Sequence, residues 1–410
     1  MNLLGGLMLG LAVLPLPASV LLAAQMLASL KRPRGDASAT GPNPRLMAGG
    51  AGREPPAFTV VVPAHDESAV IAATLRSLRA QLRAGDTLLV VADNCTDDTA
   101  AIARAEGAVV TERFDAERRG KGYALEWGVR HPLARATAVT IIVDADCVVN
   151  AGGLVALAHA AAMSGQPVQG DYLLEAPASA GPATRFSAFA IRIKNRARLL
   201  GSQRLGIPSI LTGSGMAFPR EVLDHVQLGS GEIVEDLLMS VDLALAGSPA
   251  RFCPEARITS PLPLDRAAAE GQRARWERGY LSVARRFAWR LVAAGVRRRS
   301  PRLIAMGVDL AIPPLSLFVV ALTAIFVIAL VGTLLGASPA GLVVAALQLA
   351  LFLATVSIGW FFYGRDLLGL ADFLALPLKV AAKLPFYIRI AKRPQDGWVR
   401  TARDSEDGKP

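Results

Sequence analysis

The chain has 410 residues, 52% hydrophobic and 19% charged, too apolar for an ordinary soluble protein but long enough for one catalytic domain plus membrane segments. Its net charge of +10 asks for an anionic partner, and the basic residues cluster beside apolar segments, which favours lipid headgroups and phosphates over nucleic acid. Three cysteines without a Cys-x-x-Cys spacing and four scattered histidines argue against a disulfide framework or a zinc site, so a reducing cytosol is the expected surrounding.

Residues 1–30 read as an N-terminal transmembrane anchor, because Leu3 to Leu30 is apolar throughout and about 20 residues suffice to cross a hydrocarbon core. Positive charge follows this run, at Lys31, Arg32 and Arg34, which places the N-terminus outside; a cleaved leader is the alternative. Pro15 and Pro17 should kink the helix. Residues 31–56, rich in Gly, Pro, Ala and Arg, read as a flexible linker.

Residues 57–284 alternate between strand and helix signals. Phe58–Pro63, Thr87–Ala92, Ala108–Thr111 and Ala138–Val143 read as strands, with helical spacing over 69–83 and 122–131. That alternation predicts an α/β domain with a mostly parallel sheet, whose ligands sit beyond the carboxyl ends of its strands. Three polar clusters fall at such ends: His65-Asp66-Glu67, Asp93 to Asp98, and Asp144 with Asp146. Where a strand breaks into a turn, acids one residue apart can converge on one ion, and a hard divalent cation takes such carboxylates together with phosphates. Asp93 to Asp98 also reads as a turn and helix cap. Further on come a basic helix over 183–200, whose arginines are expected to form a solvated or lipid-facing stripe, and a glycine-punctuated segment, Thr212 to Phe218, suited to close backbone approach. Glu232 to Asp236 opens a helix with acids in its first turn, where the helix dipole also favours them.

Residues 285–302 carry seven arginines among Phe287, Trp289, Leu291 and Val292 and no acid, the composition of a basic interfacial helix on an anionic membrane. Residues 303–363 read as a transmembrane hairpin, Leu310–Leu335 and Gly341–Phe362. Residues 364–410 read as an amphipathic interfacial helix over Leu367–Ile390 and a cytosolic tail, with a fourth span as the alternative.

Taken in order, Val62-Pro63-Ala64-His65-Asp66-Glu67, Asp93 to Thr99, Gly120-Lys121-Gly122, Asp144-Ala145-Asp146, Thr212-Gly213-Ser214-Gly215, Glu235-Asp236 and Gln272-x-x-Arg275-Trp276 resemble the inverting family 2 glycosyltransferases of the GT-A fold. The likeness is to the membrane-embedded branch that includes cellulose, hyaluronan and poly-N-acetylglucosamine synthases, and it covers about Phe58 to Trp276. It implies a GT-A (nucleotide-diphospho-sugar transferase) domain joined to transmembrane and interfacial α-helices. By resemblance, Ala64, Glu67 and Asp93 contact the uridine, Asp144 lies near nucleotide and sugar, and Asp146 binds a divalent cation, Mg²⁺ or Mn²⁺, on the diphosphate. Lys121, Gln272 and Arg275 hold the phosphates, Asp236 is the general base, and Gly213, Ser214, Glu235 and Trp276 face the acceptor. The implied partners are a UDP-sugar donor, a glycan or lipid-linked acceptor, the lipid bilayer and polysaccharide-export proteins, with no nucleic acid. The implied location is a bacterial inner (plasma) membrane with the catalytic domain cytoplasmic.

The chemistry asks for such a set. Charge gathers on the departing diphosphate, where a cation plus Lys or Arg is needed, and a carboxylate opposite must take the acceptor hydroxyl's proton. Two features depart from the family: Asp66 stands where many members have Asn, and two C-terminal spans are few for a polymer-secreting enzyme. A polyprenyl-phosphate sugar synthase and a catalytically inactive sugar-nucleotide-binding scaffold are the rival readings.

Overall fold

The computed structural model describes residues 3–31, 55–226, 228–229, 234–385 and 387, leaving aside the side chains of 266–268. Most of the expected linker, Glu232, and the end of the expected C-terminal helix with its tail lie outside the described residues. The chain divides into two compact units, one of residues 32–178, 208–280 and 396–410 and one of residues 1–31, 179–207 and 281–395.

The first unit is built on an eight-stranded sheet. Its strands are β1 (Phe58–Ala64), β2 (Thr87–Asp93), β3 (Val109–Arg113), β4 (Val139–Ile142), β5 (Val148–Val149), β6 (Val168–Glu175), β7 (Met216–Pro219) and β8 (Arg251–Pro261), in the order β3-β2-β1-β4-β7-β6-β8-β5. Strands β3, β2, β1 and β4 are parallel, as expected, but β7 runs antiparallel between β4 and β6, and β5 antiparallel to β8. The sheet is therefore mixed. Helices Ile71–Arg79, Thr99–Ala105 and Lys121–Arg130 lie between the parallel strands in sequence and serve as crossovers, whereas β7 is entered from a glycine-rich turn that imposes no parallel return.

Alternation along β1 sends Phe58, Val60 and Val62 into one apolar layer and Val61 into the other. The first layer meets Ile71, Leu75 and Leu78, which fall on one stripe of helix Ile71–Arg79. On the second face, a Cβ at Gly128 would lie 2.7 Å from Val61 Cγ1 and 2.8 Å from Val91 Cγ2. That glycine lets helix Lys121–Arg130 press directly on the sheet, which fixes Lys121 at its N-terminus.

The second unit is helical. Among the described residues, three of its helices are long and apolar enough to cross a membrane: Leu3–Ser29, Leu315–Leu334 and Ala340–Tyr363. Each is predominantly apolar along its length while most of its surface faces outward, as a membrane span requires. The first is broken at Leu14–Pro15 into Leu3–Val13 and Leu16–Ser29, the expected kink.

Three expectations need correction here. The helix beginning at Pro182 passes through a π-helical stretch, Ile193–Arg198, and does not present all its arginines outward. Arg198 is buried and donates to Asp309 Oδ1 at 2.8 Å, and Gln25 Nε2 donates to the same oxygen at 2.6 Å and to Ser202 Oγ at 2.8 Å. A charge packed between apolar helices needs such partners, so an arginine facing inward is paired where an outward one is solvated. The basic segment 285–302 is no separate helix: up to Arg297 it continues helix Arg266–Arg297, because no Gly-Pro break interrupts the run before Pro301. In the C-terminal region, the described residues form two short helices, Leu370–Leu374 and Leu376–Ala381, in place of one long one. Pro377 restarts the helix, and Lys379 reaches back to Asp372 at 3.3 Å across the break.

Candidate active site

The predicted site residues belong to the first unit; apart from Gln272, Arg275 and Trp276, which lie on helix Arg266–Arg297, they fall into two groups at or near the ends of its strands. The first group lies where β1 and β2 end. His65 Nδ1 sits 2.7 Å from the Asp93 carbonyl, and the Glu67 backbone N–H donates to Thr99 Oγ1 at 2.7 Å. Asp66 and Asn94 hold positive φ values of 53° and 50°, tight turns that short polar side chains tolerate. Asp97 accepts from Ser68 N and from Thr99 N and Oγ1. Burial works against its charged form, but these three bonds, with a further one from the Ser68 side chain, outweigh it and bring the carboxyl down to about 2. The Asp93–Asp98 stretch is thus a turn that ties two strand ends together.

Asp93 is buried and paired: Arg113 Nη1 stands 2.6 Å from Asp93 Oδ1, and Asn94 Nδ2 donates to the same oxygen at 3.2 Å. Arg113 also reaches Asp115 Oδ2 at 2.9 Å and the Arg118 carbonyl at 2.8 Å, with Tyr123 beneath it at 5.7 Å. Sequence reasoning missed Arg113, since an arginine on an edge strand carries no motif.

The second group surrounds Lys121. Gly120, at φ 120°, turns the chain into helix Lys121–Arg130 with a backbone that favours glycine. Lys121 Nζ then lies 2.5 Å from Asp144 Oδ1 and donates to the Gly213 carbonyl at 2.7 Å. Gly213 has φ 98°, and a Cβ there would lie 3.4 Å from Asp236 Oδ2 and 3.7 Å from Lys121 Nζ. Lys121, Asp144 and Asp236, from three separate segments, are thus brought together around Gly213.

Asp146 accepts from Ser260 Oγ at 3.0 Å, and oxygens of Asp144 and Asp146 and the Cys147 sulfur lie within 4.8 Å of one another. Burial, then the neighbouring acids, push the Cys147 thiol well above its usual range, so it stays protonated and the donors here are the two carboxylates, the set a hard cation prefers. Ser214, which the resemblance assigns to the acceptor, is fully buried beneath this turn, where its Oγ accepts from Asp144 N at 3.0 Å and donates to Cys147 Sγ at 3.2 Å. In that position its hydroxyl satisfies the backbone of the Asp144 turn.

Electrostatics mark this second group. Burial lowers the Lys121 pKa, but Asp144, Glu235 and Asp236 outweigh it and raise it above the usual value. Burial also raises Asp144 despite Lys121, and Glu235 is pushed up to about 7 by burial first, with Asp236 and Asp144 adding to it against Lys121. Four carboxylates clustered around one contacting lysine are short of positive charge, and a divalent cation held by Asp144 and Asp146 fits that deficit.

Gln272, Arg275 and Trp276 occupy one face of helix Arg266–Arg297 at spacings of three and four. Arg275 is half-buried, which lowers its pKa, and Trp276 is exposed. One turn on, a Cβ at Gly279 would meet Val234 Cγ1 at 2.8 Å, so this helix packs against the residue that immediately precedes Glu235 and Asp236. Ala64, at the end of β1, is buried.

One family model and one solved structure agree with this architecture. The sequence model of the family described as "Glycosyltransferase like family 2" matches residues 55–279. An uncharacterized glycosyltransferase of Mycobacterium tuberculosis is 40% identical over 98 residues, 24% of this chain and 40% of that protein, so the match spans well under half of the curated relative. Among solved structures, a mannosyltransferase from Pyrobaculum calidifontis in complex with GDP-Man and Mn²⁺ is 20% identical, with 94% of this chain and 99% of that chain covered at a TM-score of 0.52. Glucosyl-3-phosphoglycerate synthase from Mycobacterium tuberculosis, in complex with Mn²⁺, UDP and phosphoglyceric acid, is 24% identical over 60% of this chain and 83% of that one, with a TM-score of 0.38. With the family match running over both groups of site residues, the chain belongs to the glycosyltransferase like family 2 and carries a GT-A fold.

Proposed function

We propose that this is a membrane-bound, inverting glycosyltransferase that faces the cytosol and moves a hexosyl or N-acetylhexosaminyl group from a UDP-sugar to a glycan or lipid-linked acceptor in surface polysaccharide synthesis. The observation that carries the reading is the meeting of Lys121, Asp144 and Asp236 around Gly213. Lys121 supplies positive charge for the departing diphosphate, and moves from Asp144 to the phosphates when donor enters. Gln272 and Arg275 add donors on the same side, and Glu67 and Asp93 hold the nucleoside. Asp236 takes the acceptor hydroxyl's proton, with Trp276 and Glu235 beside the acceptor. Asp144 and Asp146 would hold Mn²⁺ or Mg²⁺, which supplies Lewis-acid charge to the diphosphate when bound. The Mn²⁺ bound with GDP-Man in the Pyrobaculum calidifontis mannosyltransferase supports a divalent cation, and its GDP-Man makes GDP-sugars the rival donors.

The test is direct. The chain in lipid nanodiscs is incubated with labelled UDP- and GDP-sugars, with glycan and polyprenyl-phosphate acceptors, and with Mn²⁺ or EDTA, and the products are sized. EDTA-sensitive transfer from a UDP-sugar to a hydroxyl acceptor is expected. Transfer only to polyprenyl phosphate would establish the rival enzyme, and absence of transfer from every donor would favour an inactive scaffold.

A further inference from the structure

One buried side chain, absent from every motif, holds the turn on which the second group converges. Gln169 lies on β6 and is fully buried. Its Oε1 accepts from Thr212 N at 2.8 Å, and its Nε2 donates to the Ser214 carbonyl at 2.9 Å and to the Gly170 carbonyl at 2.8 Å. The residue between the two it grips is Gly213, whose own carbonyl accepts from Lys121 Nζ at 2.7 Å. On either side, the backbone is pinned further: Gly170 N donates to the Gly215 carbonyl at 2.8 Å, and Gly215 N to the Ile142 carbonyl at 2.9 Å.

We propose that Gln169 is a positioning residue for the donor site: by clamping Thr212 and Ser214 with one planar amide, it aims the Gly213 carbonyl at Lys121 and so sets where the lysine's charge meets the donor diphosphate. The head group must offer one acceptor and one donor in a plane, which only an amide does here. Glutamate keeps the acceptor for Thr212 N but has no hydrogen for the Ser214 carbonyl. Methionine keeps the volume and loses both bonds, while asparagine is one methylene short. Gly213, at φ 98°, has the backbone freedom that makes such a clamp necessary, since a glycine carbonyl unrestrained on both sides would swing away from Nζ.

The inference rests on the donor-site reading of Lys121, and a double-mutant cycle separates the two. Full-length chain in nanodiscs is titrated with UDP and with GDP, each with Mn²⁺, by calorimetry, for the native chain, Gln169→Met, Gln169→Glu, Lys121→Met and the Gln169→Met/Lys121→Met double variant. Thermal melts run alongside. Lys121→Met and Gln169→Met should each weaken nucleoside diphosphate binding about tenfold, the loss of one charge-assisted hydrogen bond. Gln169→Glu should weaken it at least as much. On the Lys121→Met background, Gln169→Met should change affinity by less than about twofold, because both act on the same contact. Equal losses on both backgrounds, native affinity in Gln169→Met, or unfolded protein in both Gln169 variants would reduce Gln169 to a purely structural residue and overturn the proposal. If the native chain binds neither nucleotide, the donor-site reading falls and this proposal with it.

Discussion

Replacing Arg113 by methionine tests the pairing that holds the first group of site residues. The two side chains are 7% and 6% exposed, and 2.6 Å separates Arg113 Nη1 from Asp93 Oδ1. Removing one member of a buried pair strands the other's charge, at a cost of about 3–5 kcal/mol. In a unit of this size that lowers the melting temperature by roughly 6–20 °C. The partners are not equivalent. Arg113 keeps Asp115 Oδ2 and the Arg118 carbonyl when Asp93 is neutralised, so Asp93→Asn should cost only about 1–2 kcal/mol. The double variant buries an amide in place of a stranded carboxylate, so it should recover about 2 kcal/mol or more of the Arg113→Met loss. Thermal and urea unfolding in nanodiscs, followed by near-UV circular dichroism, gives all four corners of the cycle. An Arg113→Met protein within about 1 kcal/mol of native, or a cycle that is simply additive, would refute the idea that this pair carries the turn.

The remaining expectations concern the second group. Asp236→Asn should cut turnover by about 100-fold or more and leave UDP binding with Mn²⁺ largely intact, as steady-state rates beside calorimetry would show; parallel loss of both would remove its role as base. Glu235 ionises in the folded state only near pH 7 because burial disfavours its charge, while the unfolded chain gives up that proton near 4.5. Its contribution to stability is therefore full below pH 4.5 and fades as pH rises towards 7, so the melting temperature of Glu235→Gln should lose that downward slope; identical slopes in both proteins would contradict the assignment. Gly215 has φ 67°, and a Cβ there would clash with Ile258 Cδ1, so Gly215→Ala should destabilise by about 2–5 kcal/mol. Ile258→Val, which deletes that methyl, should restore part of the loss in a melting assay.

Much of this protein is legible from one dimension. Strand and helix in the catalytic unit follow from local periodicity: Ile71, Leu75 and Leu78 announce their helix, and Phe58 to Val62 their strand, because burial is a period written in adjacent residues. The three apolar runs likewise declare themselves by length. Asp144 with Asp146, Lys121 between glycines, and Asp236 are visible because their chemistry needs those residue types at a strand or helix end. The antiparallel course of β7, the inward turn of Arg198 towards Asp309, the burial of Ser214, and the grips of Arg113 on Asp93 and of Gln169 on Thr212 and Ser214 could be decided only in three dimensions. Each depends on a partner tens of residues or more away in sequence, or on which face of an element is covered, and no local pattern encodes a contact whose other half is chosen by how the chain folds back.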